Sequence, residues 1–297
     1  MTRKVDSRNG RIVNAMSVDV EDYFQVSAFE GYLSRGDWEG FPARVEQNTE
    51  RVLSLMERHG VKGTFFILGW VAERFPGIVR RVANDGHEVA SHGYSHVRVQ
   101  HQSRAEFRED VTRAKKLLED LAGQPVLGYR APSHSIGRDT LWATDELESA
   151  GYLYSSSVYP VYHDLGGMPE APRFPFRHRG GDGILEIPIS TARILRFNWP
   201  SGGGGYFRLM PYPLFRAALR SINERESKPC IFYFHPWELD PKQPRLARVS
   251  LKTRFRHYLN LERMEKRLER LVQDFHWDRV DRVFLKSCGA LPRAVGS

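Results

Sequence analysis

Short apolar runs alternate with amphipathic stretches along the first 240 residues of the chain. The apolar runs predict strands at residues 11–20, 63–68, 87–90, 126–130, 152–156, 184–189 and 230–234. The amphipathic stretches predict helices at residues 44–59, 71–85, 103–121, 140–150 and 212–224. Because strands that alternate with helices form parallel βαβ units, the pattern predicts an α/β fold. About seven such strands favour a distorted (β/α) barrel over a small open sheet.

Local signals place several of the helix ends. Gly60 follows the first helix and can close it in a left-handed conformation. Pro76 predicts a break or restart inside residues 71–85, because proline has no backbone N–H to donate. Ser103 opens the next helix, and Glu106 three residues later completes a capping box.

Three segments depart from the alternation. Residues 163–183 are rich in glycine, proline and aromatic residues, and residues 198–206 contain four consecutive glycines. Both segments predict loops, and long loops in barrels usually shape the site. Residues 245–275 predict a basic helical region with an apolar stripe. The stripe consists of Leu259, Met264, Leu268 and Leu271.

The composition is that of an ordinary globular protein. Lys and Arg number 44 against 36 Asp and Glu, so the formal charge is +8, and 41% of the residues are apolar. This balance excludes a disordered or fibrous chain, because it supplies enough apolar material for a sizeable core. Cys230 and Cys288 offer neither a disulfide framework nor metal-ligand spacing, and they indicate two free thiols in a reducing compartment. The polar N-terminus and the lack of long apolar runs predict a cytoplasmic protein.

Polar clusters stand directly after four of the predicted strands. Asp19, Glu21 and Asp22 end the first strand, and three carboxylates so close together repel one another unless a cation or a shared proton offsets the repulsion. His92 and His96 follow a later strand. On a helical turn this spacing puts two imidazoles about 5–6 Å apart, where they can share one metal ion. Two histidines with one carboxylate form a common hydrolytic metal set.

The two remaining clusters contain an arginine and a histidine. Arg130 lies in a Tyr-Arg-Ala-Pro-Ser stretch, where it can hold a carboxylate by a bidentate pair and keep it ionised. His235 follows the apolar run 231–234, where an imidazole can be partly buried and titrate near neutral pH. Each cluster alone is typical of an ordinary turn, surface arginine or structural histidine. Their order along the chain is what indicates a site.

In this order, the clusters resemble the polysaccharide deacetylase (NodB-homology) family of carbohydrate esterases, over about residues 14–240. Four further stretches resemble a branch of that family associated with exopolysaccharide biosynthesis. They are DVEDYFQVSAF from residue 19, YRAPS from residue 129, GGGGYFRLMPY from residue 202 and FYFHPWE from residue 232. The resemblance implies a catalytic barrel over residues 14–240 and a C-terminal extension over residues 241–297 that packs on it.

The resemblance also implies a metal set and a base. Asp19 corresponds to the catalytic base, and His92 and His96 correspond to the two metal histidines. The family's usual adjacent pair of aspartates is interrupted here by Val20. The metal carboxylate is therefore either Glu21, favoured by spacing, or Asp22, favoured by residue type.

The other implied roles are those of Arg130, Ser133 and His235. Arg130 corresponds to the arginine that orients the base, Ser133 supplies a backbone N–H for the oxyanion, and His235 is the general acid. This sequence departs from the family pattern at two positions, because Ser155 and Pro236 stand where aspartates are usual. The candidates that can replace the missing carboxylates beside the acid are Glu238 and Asp240.

The implied activity is the removal of N-acetyl groups from amino sugars of a polysaccharide or its precursor. The implied cofactor is a divalent metal, with Zn²⁺ the expected ion and other divalent ions open. The expected partner is the acetylated amino-sugar polymer or precursor, and Tyr206 and Trp237 are candidate platforms for its sugar rings. The oligomeric state stays open.

Three alternatives compete with this interpretation. A catalytically decayed glycan-binding protein is favoured by Ser155, and a metal-free amidohydrolase on the same barrel is disfavoured by the His92/His96 pair. The positive charge suggests nucleic-acid binding, but glutamates interleave with the basic residues of the tail at helical spacing, so no nucleic acid is expected. A basic face also suggests peripheral contact with an anionic membrane.

Overall fold

A curled, mostly parallel β-sheet lies at the centre of the protein. The computed structural model describes residues 7–8, 11–163, 166–246 and 249–285. The strands in these ranges are β1 (Ser7–Arg8), β2 (Arg11–Val20), β3 (Thr64–Ile67), β4 (Glu88–Ser91), β5 (Gly128–Tyr129), β6 (Tyr154–Ser155), β7 (Phe176–Arg177), β8 (Leu185–Glu186), β9 (Thr191–Ile194), β10 (Phe197–Pro200), β11 (Ile231–Phe234) and β12 (His276–Asp278).

The sheet is organised around the long strand β2. Parallel strands follow in the order β11, β2, β3, β4, β5, β6 and β8, and β7 pairs antiparallel with β8 at the end. β12 also pairs with β2 in parallel, through Val13–Ala15, whereas β11 pairs through Ala15–Val18. The parallel strands in a curled sheet confirm the predicted α/β barrel fold.

Helices cover the outside of this sheet. They are α1 (Val45–Arg58), α2 (Gly69–Arg74), α3 (Pro76–Asn84), α4 (Arg104–Ala122), α5 (Ala143–Ser149), α6 (Gly204–Leu209), α7 (Tyr212–Arg220), α8 (Leu251–Tyr258) and α9 (Leu261–Asp274). The predicted signals are confirmed: Pro76 starts α3, and Ser103 and Glu106 form both hydrogen bonds of a capping box on α4. Gly60 follows α1 with a positive φ of 63°.

The glycine run fills the gap between β8 and β11, and is not the open loop that the sequence suggested. The N–H of Ser201 donates to the carbonyl of Ser190, and the N–H of Tyr233 donates to the carbonyl of Gly202. A Cβ on Gly202 would lie within 3.0 Å of backbone atoms from both neighbouring segments. Absence of a side chain therefore lets this backbone pack between strands, and α6 begins within the run, at Gly204.

The described residues after 240 pack on the barrel, as the resemblance implies for an extension, while the boundary at residue 240 stays a prediction. β12 joins the sheet beside β2, and the buried face of α9 includes Met264, Leu268 and Leu271 of the predicted stripe. Leu259, the fourth predicted member, is half-buried just before this helix.

Two other sequence expectations concern thiols and membrane spans. Cys230 is a buried free thiol at the start of β11, and Cys288 lies outside the described residues. Within the ranges that the structure describes, no helix has both the length and the apolar character required to cross a bilayer.

Candidate metal and catalytic centre

The carboxyl ends of four parallel strands bring the predicted site residues to one edge of the sheet. Asp19 lies near the end of β2, His92 follows β4, Arg130 follows β5, and His235 follows β11. A cavity of about 400 Å³ opens at this edge, and three of these four side chains line it. Because parallel strands end on the same side of the sheet, residues far apart in the chain share this cavity.

Glu21, His92 and His96 form a buried cluster at the base of the cavity. One possible ligand atom from each residue lies within 4.8 Å of the other two. Glu21 Oε2 lies 2.6 Å from His96 Nε2, and the two imidazole centroids are 5.3 Å apart. His92 Nδ1 lies 2.8 Å from the carbonyl oxygen of Arg130. With Nδ1 donating to that carbonyl, Nε2 is left to bind another partner.

A loop, not a helical turn, brings the two histidines together. Residues between them have no helical hydrogen bonds, and Gly93 and His96 take positive φ values of 74° and 53°. The carboxylate of Asp110, on α4, accepts the N–H groups of Tyr94 at 2.7 Å and Ser95 at 2.9 Å. The expected separation of the imidazoles is therefore right, but its cause is a loop that Asp110 holds.

The cluster fits a divalent metal ion chemically. Glu21 Oε2 is buried, and among the described groups none forms a hydrogen bond of acceptable geometry with it. Burial favours a raised pKa for Glu21, but the charges of His96 and His235 outweigh burial and lower the pKa to about 2. Burial lowers the pKa of His92 to about 4. An anionic carboxylate and a neutral imidazole are the forms that bind metals.

Asp22 lies outside this cluster. Its Oδ1 accepts the N–H of Tyr23 at 2.8 Å, and its Oδ2 accepts the N–H groups of Arg44 at 2.6 Å and Val45 at 2.9 Å. The carboxylate therefore serves the N-terminal end of α1, whose first N–H groups have no helical partner. Of the two alternatives for the metal carboxylate, the fold brings Glu21 to the histidines and turns Asp22 away.

Asp19 and Arg130 form a buried ion pair beside the cluster. Arg130 Nη1 donates to Asp19 Oδ1 at 2.6 Å and to Ser17 Oγ at 3.0 Å. On its other side, Arg130 donates from Nε to the carbonyl of Ser156 and from Nη2 to its hydroxyl. The guanidinium also lies over the Phe66 ring, 4.0 Å from the centroid. An arginine fixed on both sides can hold the Asp19 carboxylate in one orientation.

His235 lies across the cavity with carboxylates on both ring nitrogens. Its Nδ1 is 2.9 Å from Glu238 Oε1, and its Nε2 is 3.4 Å from Glu21 Oε1. Burial favours a lowered pKa for His235, but the charges of Glu21 and Glu238 outweigh burial and raise the pKa to about 9. In this environment His235 holds a proton at neutral pH, as a general acid must.

The positions that depart from the family pattern have identifiable surroundings. Ser155 Oγ donates to Ser157 Oγ at 2.8 Å in the barrel interior. Pro236 begins the short 3₁₀ helix Pro236–Leu239, whose single turn returns Glu238 to His235. Asp240, the other candidate replacement for the missing carboxylate, pairs with Arg44 instead.

Ser133 and Tyr206 both line the cavity. Ser133 and His134 take left-handed φ values of 54° and 52°, which indicates a strained turn at the cavity wall. The Ser133 hydroxyl donates to Ser27 Oγ at 2.6 Å. Tyr206 is half-buried, and its platform role stays a prediction.

Trp237 also lines the cavity, although its indole is only 5% exposed. The ring stacks on His235, with centroids 5.1 Å apart, and on His257, with centroids 4.2 Å apart. These contacts support the imidazole of His235, and the role of Trp237 as a sugar platform stays a prediction.

Sequence reasoning missed two contributions to the cavity. Arg208 is a buried arginine that binds Glu238, and helix α8 presents Lys252, Phe255 and Arg256 to the cavity wall. Arg208 lies within the family-like stretch after the glycine run, which was the only signal for it. The α8 residues belong to the basic tail, and nothing in their spacing pointed to the site.

Comparison with solved structures identifies the fold class. A crystal structure of a candidate polysaccharide deacetylase from Mycobacterium smegmatis superposes with a TM-score of 0.63 at 19% identity, covering 100% of this chain and 98% of that one. An allantoinase superposes with a TM-score of 0.58 at 16% identity, covering 95% and 92%. At these identities the likeness establishes a shared barrel and nothing about activity.

Comparison of sequences then gives a family match. Residues 37–153 match the family model described as polysaccharide deacetylase, and residues 156–285 match a domain of unknown function, DUF3473. The first match covers about two fifths of the chain, and this part of it is similar to the polysaccharide deacetylases. The first match contains His92, His96 and Arg130, whereas Asp19, Glu21 and His235 lie outside it.

Curated relatives each match about a third of the chain. A peptidoglycan-N-acetylglucosamine deacetylase from Bacillus cereus is 38% identical over 99 residues, which is 33% of this chain and 36% of that protein. A chitooligosaccharide deacetylase from Azorhizobium caulinodans is 32% identical over 85 residues, 28% of this chain and 40% of that protein. The chain thus matches about a third of the length of these curated relatives.

Proposed function

We propose that this protein is a metal-dependent hydrolase that removes N-acetyl groups from amino sugars of a polysaccharide or its precursor. The observation that carries the proposal is the shared cavity. There the cluster of Glu21, His92 and His96 lies beside an arginine-bound aspartate and a glutamate-bound histidine. The family match and the names of the relatives support an acetamide as the bond that is cleaved.

Glu21, His92 and His96 would hold the metal, for which we propose Zn²⁺. Two imidazoles and one carboxylate suit zinc and leave room for water and substrate. When bound, such an ion activates a water molecule and polarises the carbonyl that is attacked.

The chain's own residues then handle the protons. Asp19, ionised against Arg130, accepts a proton from the attacking water as the water oxygen bonds to the acetyl carbon. The backbone N–H of Ser133 is the proposed donor to the oxyanion. His235 donates its Nε2 proton to the sugar nitrogen as the C–N bond breaks. The products are acetate and a free amino sugar.

The test is acetate release by the purified protein from N-acetylated chitooligosaccharides. We expect release that disappears on chelation, returns with Zn²⁺, and is lost in His92→Ala and Asp19→Asn. His101→Ala, which removes an exposed imidazole outside the cavity lining, is the matched control and should retain activity. Absence of release from the wild type, or release that survives chelation and both site variants, would contradict the proposal.

Two rival functions make different predictions. A decayed glycan-binding protein, which Ser155 favours, would bind oligosaccharides tightly without releasing acetate. A metal-free amidohydrolase would be active with no metal in the protein, and the buried cluster of Glu21 with two histidines weighs against it. Metal analysis together with turnover distinguishes all three.

The proposed setting is exopolysaccharide biosynthesis, with contact at an anionic membrane surface. The hairpin of β9 and β10 supports that contact, because its tip exposes Leu195 at 90% and Phe197 at 62%. Arg193 and Arg196 flank these apolar side chains and are exposed. Apolar side chains next to arginines suit the boundary between acyl chains and anionic headgroups.

A further inference from the structure

The imidazole of His235 is bound by a carboxylate that is itself fully buried. Glu238 Oε1 accepts the backbone N–H of His235 at 3.1 Å and lies 2.9 Å from its Nδ1. Glu238 is 0% exposed. The ring therefore donates from Nδ1 to Glu238, and Nε2 is the nitrogen that faces the metal cluster.

Arg208 binds the other oxygen of the same carboxylate. Its Nε donates to Glu238 Oε2 at 2.6 Å. Its Nη1 donates to the carbonyls of His257 at 3.0 Å and Leu259 at 2.6 Å, and its Nη2 donates to the carbonyl of Arg256 at 3.2 Å. These carbonyls belong to the C-terminal end of α8, where a helix has unpaired acceptors and a partial negative charge.

We propose that Arg208 is a positioning residue for the general acid and that α8 fixes Arg208 in place. The proposal rests on the proposed function, in which His235 protonates the leaving nitrogen. Arg208 occupies one oxygen of Glu238, so the other oxygen stays on Nδ1 of His235. Nε2 is thereby held toward the cavity.

The surrounding packing is consistent with this role. A Cβ on Gly204 would lie within 3.0 Å of both Glu238 oxygens, so glycine at this position leaves the space that the carboxylate occupies. Trp237 stacks on both His235 and His257 of α8. The C-terminal segment therefore reaches the acid by two routes, one through hydrogen bonds and one through stacked rings.

A buried Arg–Glu pair can also serve stability alone, and the leaving group distinguishes the two roles. An amide nitrogen must be protonated before it leaves, whereas 4-nitrophenolate leaves an ester without protonation. Loss of an oriented general acid therefore slows acetamide hydrolysis and spares aryl-ester hydrolysis. General loosening of the site slows both reactions together.

The experiment compares chitooligosaccharide deacetylation with hydrolysis of 4-nitrophenyl acetate, counting only the ester activity that His92→Ala abolishes. We expect Glu238→Gln to lower kcat for the acetamide by about 10²-fold. In this variant the KM for the acetamide should stay within about twofold of the wild-type value, and kcat for the ester should stay within about threefold. The reason is that the acid acts only in C–N cleavage. Arg208→Gln should lower kcat for the acetamide by about tenfold and spare the ester in the same way. Arg208→Lys keeps the charge and should recover part of the lost acetamide activity.

Two matched controls separate positioning from packing. Arg267 Nη1 donates to the carbonyls of Phe207, Arg208 and Met210, so Arg267→Gln loosens α6 from the C-terminal segment without removing a Glu238 partner. Asp240→Asn breaks a carboxylate–arginine pair two residues after Glu238. Both controls should leave the ratio of acetamide to ester activity unchanged.

The outcomes are distinguishable. A wild type that releases no acetate would overturn the proposed function. If the wild type is active but Glu238→Gln and Arg208→Gln slow acetamide and ester hydrolysis equally, only the positioning role is overturned. The same conclusion follows if the two controls change the ratio of acetamide to ester activity as strongly as these variants do. Circular dichroism reports folding of each variant. If Arg208→Gln does not fold, Glu238→Gln and Arg208→Lys decide the result.

Discussion

At the residue scale, the two adjacent glycines 204 and 205 have very different surroundings. A Cβ on Gly204 would collide with the Glu238 carboxylate, whereas a Cβ on Gly205 would meet nothing within 4 Å. We therefore expect Gly204→Ala to displace Glu238 from His235 and Gly205→Ala to leave it in place. Acetate release should be at least about tenfold lower in Gly204→Ala than in Gly205→Ala. Equal rates would show that Glu238 can move without cost to the reaction.

The neighbouring carboxylates Glu21 and Asp22 should respond differently to mutation. We expect Glu21→Gln to abolish stoichiometric zinc binding while the protein stays folded, because a neutral amide cannot supply the anionic ligand. Asp22→Ala should bind zinc but lose about 2 kcal/mol of unfolding free energy, because buried N–H groups of α1 lose their acceptor. Metal analysis and urea unfolding are the two measurements. Zinc loss in Asp22→Ala with retention in Glu21→Gln would reverse the assignment.

Sequence reasoning at this scale found the residues that stand at strand ends and missed those that act through others. Asp19, His92 and His235 follow recognisable apolar runs, so each could be named without coordinates. Arg208 follows the glycine run and ends no predicted strand, and its partner Glu238 is 30 residues away. Only the folded chain shows that the two meet.

At the element scale, β4 meets the segment after β12 through a buried acid. Glu88 on β4 accepts hydrogen bonds from Thr64, from Tyr154 at 2.9 Å and from the N–H of Asp281 at 3.1 Å. Burial and the nearby charge of Asp281, itself paired with Arg279, raise the pKa of Glu88 to about 8. The carboxyl therefore keeps a proton at neutral pH that the unfolded chain has released.

This arrangement predicts a pH dependence of stability. Between about pH 4.5 and pH 8 the folded state binds more protons at Glu88 than the unfolded state does, so its contribution to stability falls as pH rises. Glu88→Gln removes that dependence. The free energy of unfolding of the variant, relative to that of the wild type, should therefore increase progressively from pH 5 to pH 8. Urea unfolding at each pH measures this difference. A difference between the two proteins that does not change with pH would contradict the raised pKa.

The elements differ in how well the sequence predicted them. Helices α1 and α4 have strong periodicity and clear end signals, so their existence and approximate limits were right. The hairpin β9–β10 and helix α6 were missed. Four glycines and one proline in residues 198–206 are equally typical of a loop, which hid β10 and the start of α6. The conformation of the hairpin and of α6 depends on packing between β8 and β11. The local propensities of the residues do not reveal this packing.

At the scale of the whole molecule, the hairpin β9–β10 is the surface that we expect to contact a membrane. We expect the protein to co-sediment with phosphatidylglycerol vesicles more than with phosphatidylcholine vesicles, and binding to weaken as salt increases. The double variant Leu195→Ser/Phe197→Ser should lose most of this binding. Leu214→Ser, which changes a side chain exposed at 62% on α7, is the matched control. Equal binding of the double variant and the control would exclude the hairpin as the contact.

The arrangement of β12 beside β2 has a consequence for the order of folding. The first long strand of the chain pairs with a strand that begins at His276, more than 250 residues later. At bacterial or eukaryotic elongation rates the ribosome needs roughly 10 to 50 seconds to make the intervening chain. Throughout that time, three of the ten residues of β2 lack their final neighbour on one side. We therefore expect nascent chains to depend on chaperones until the last strand emerges.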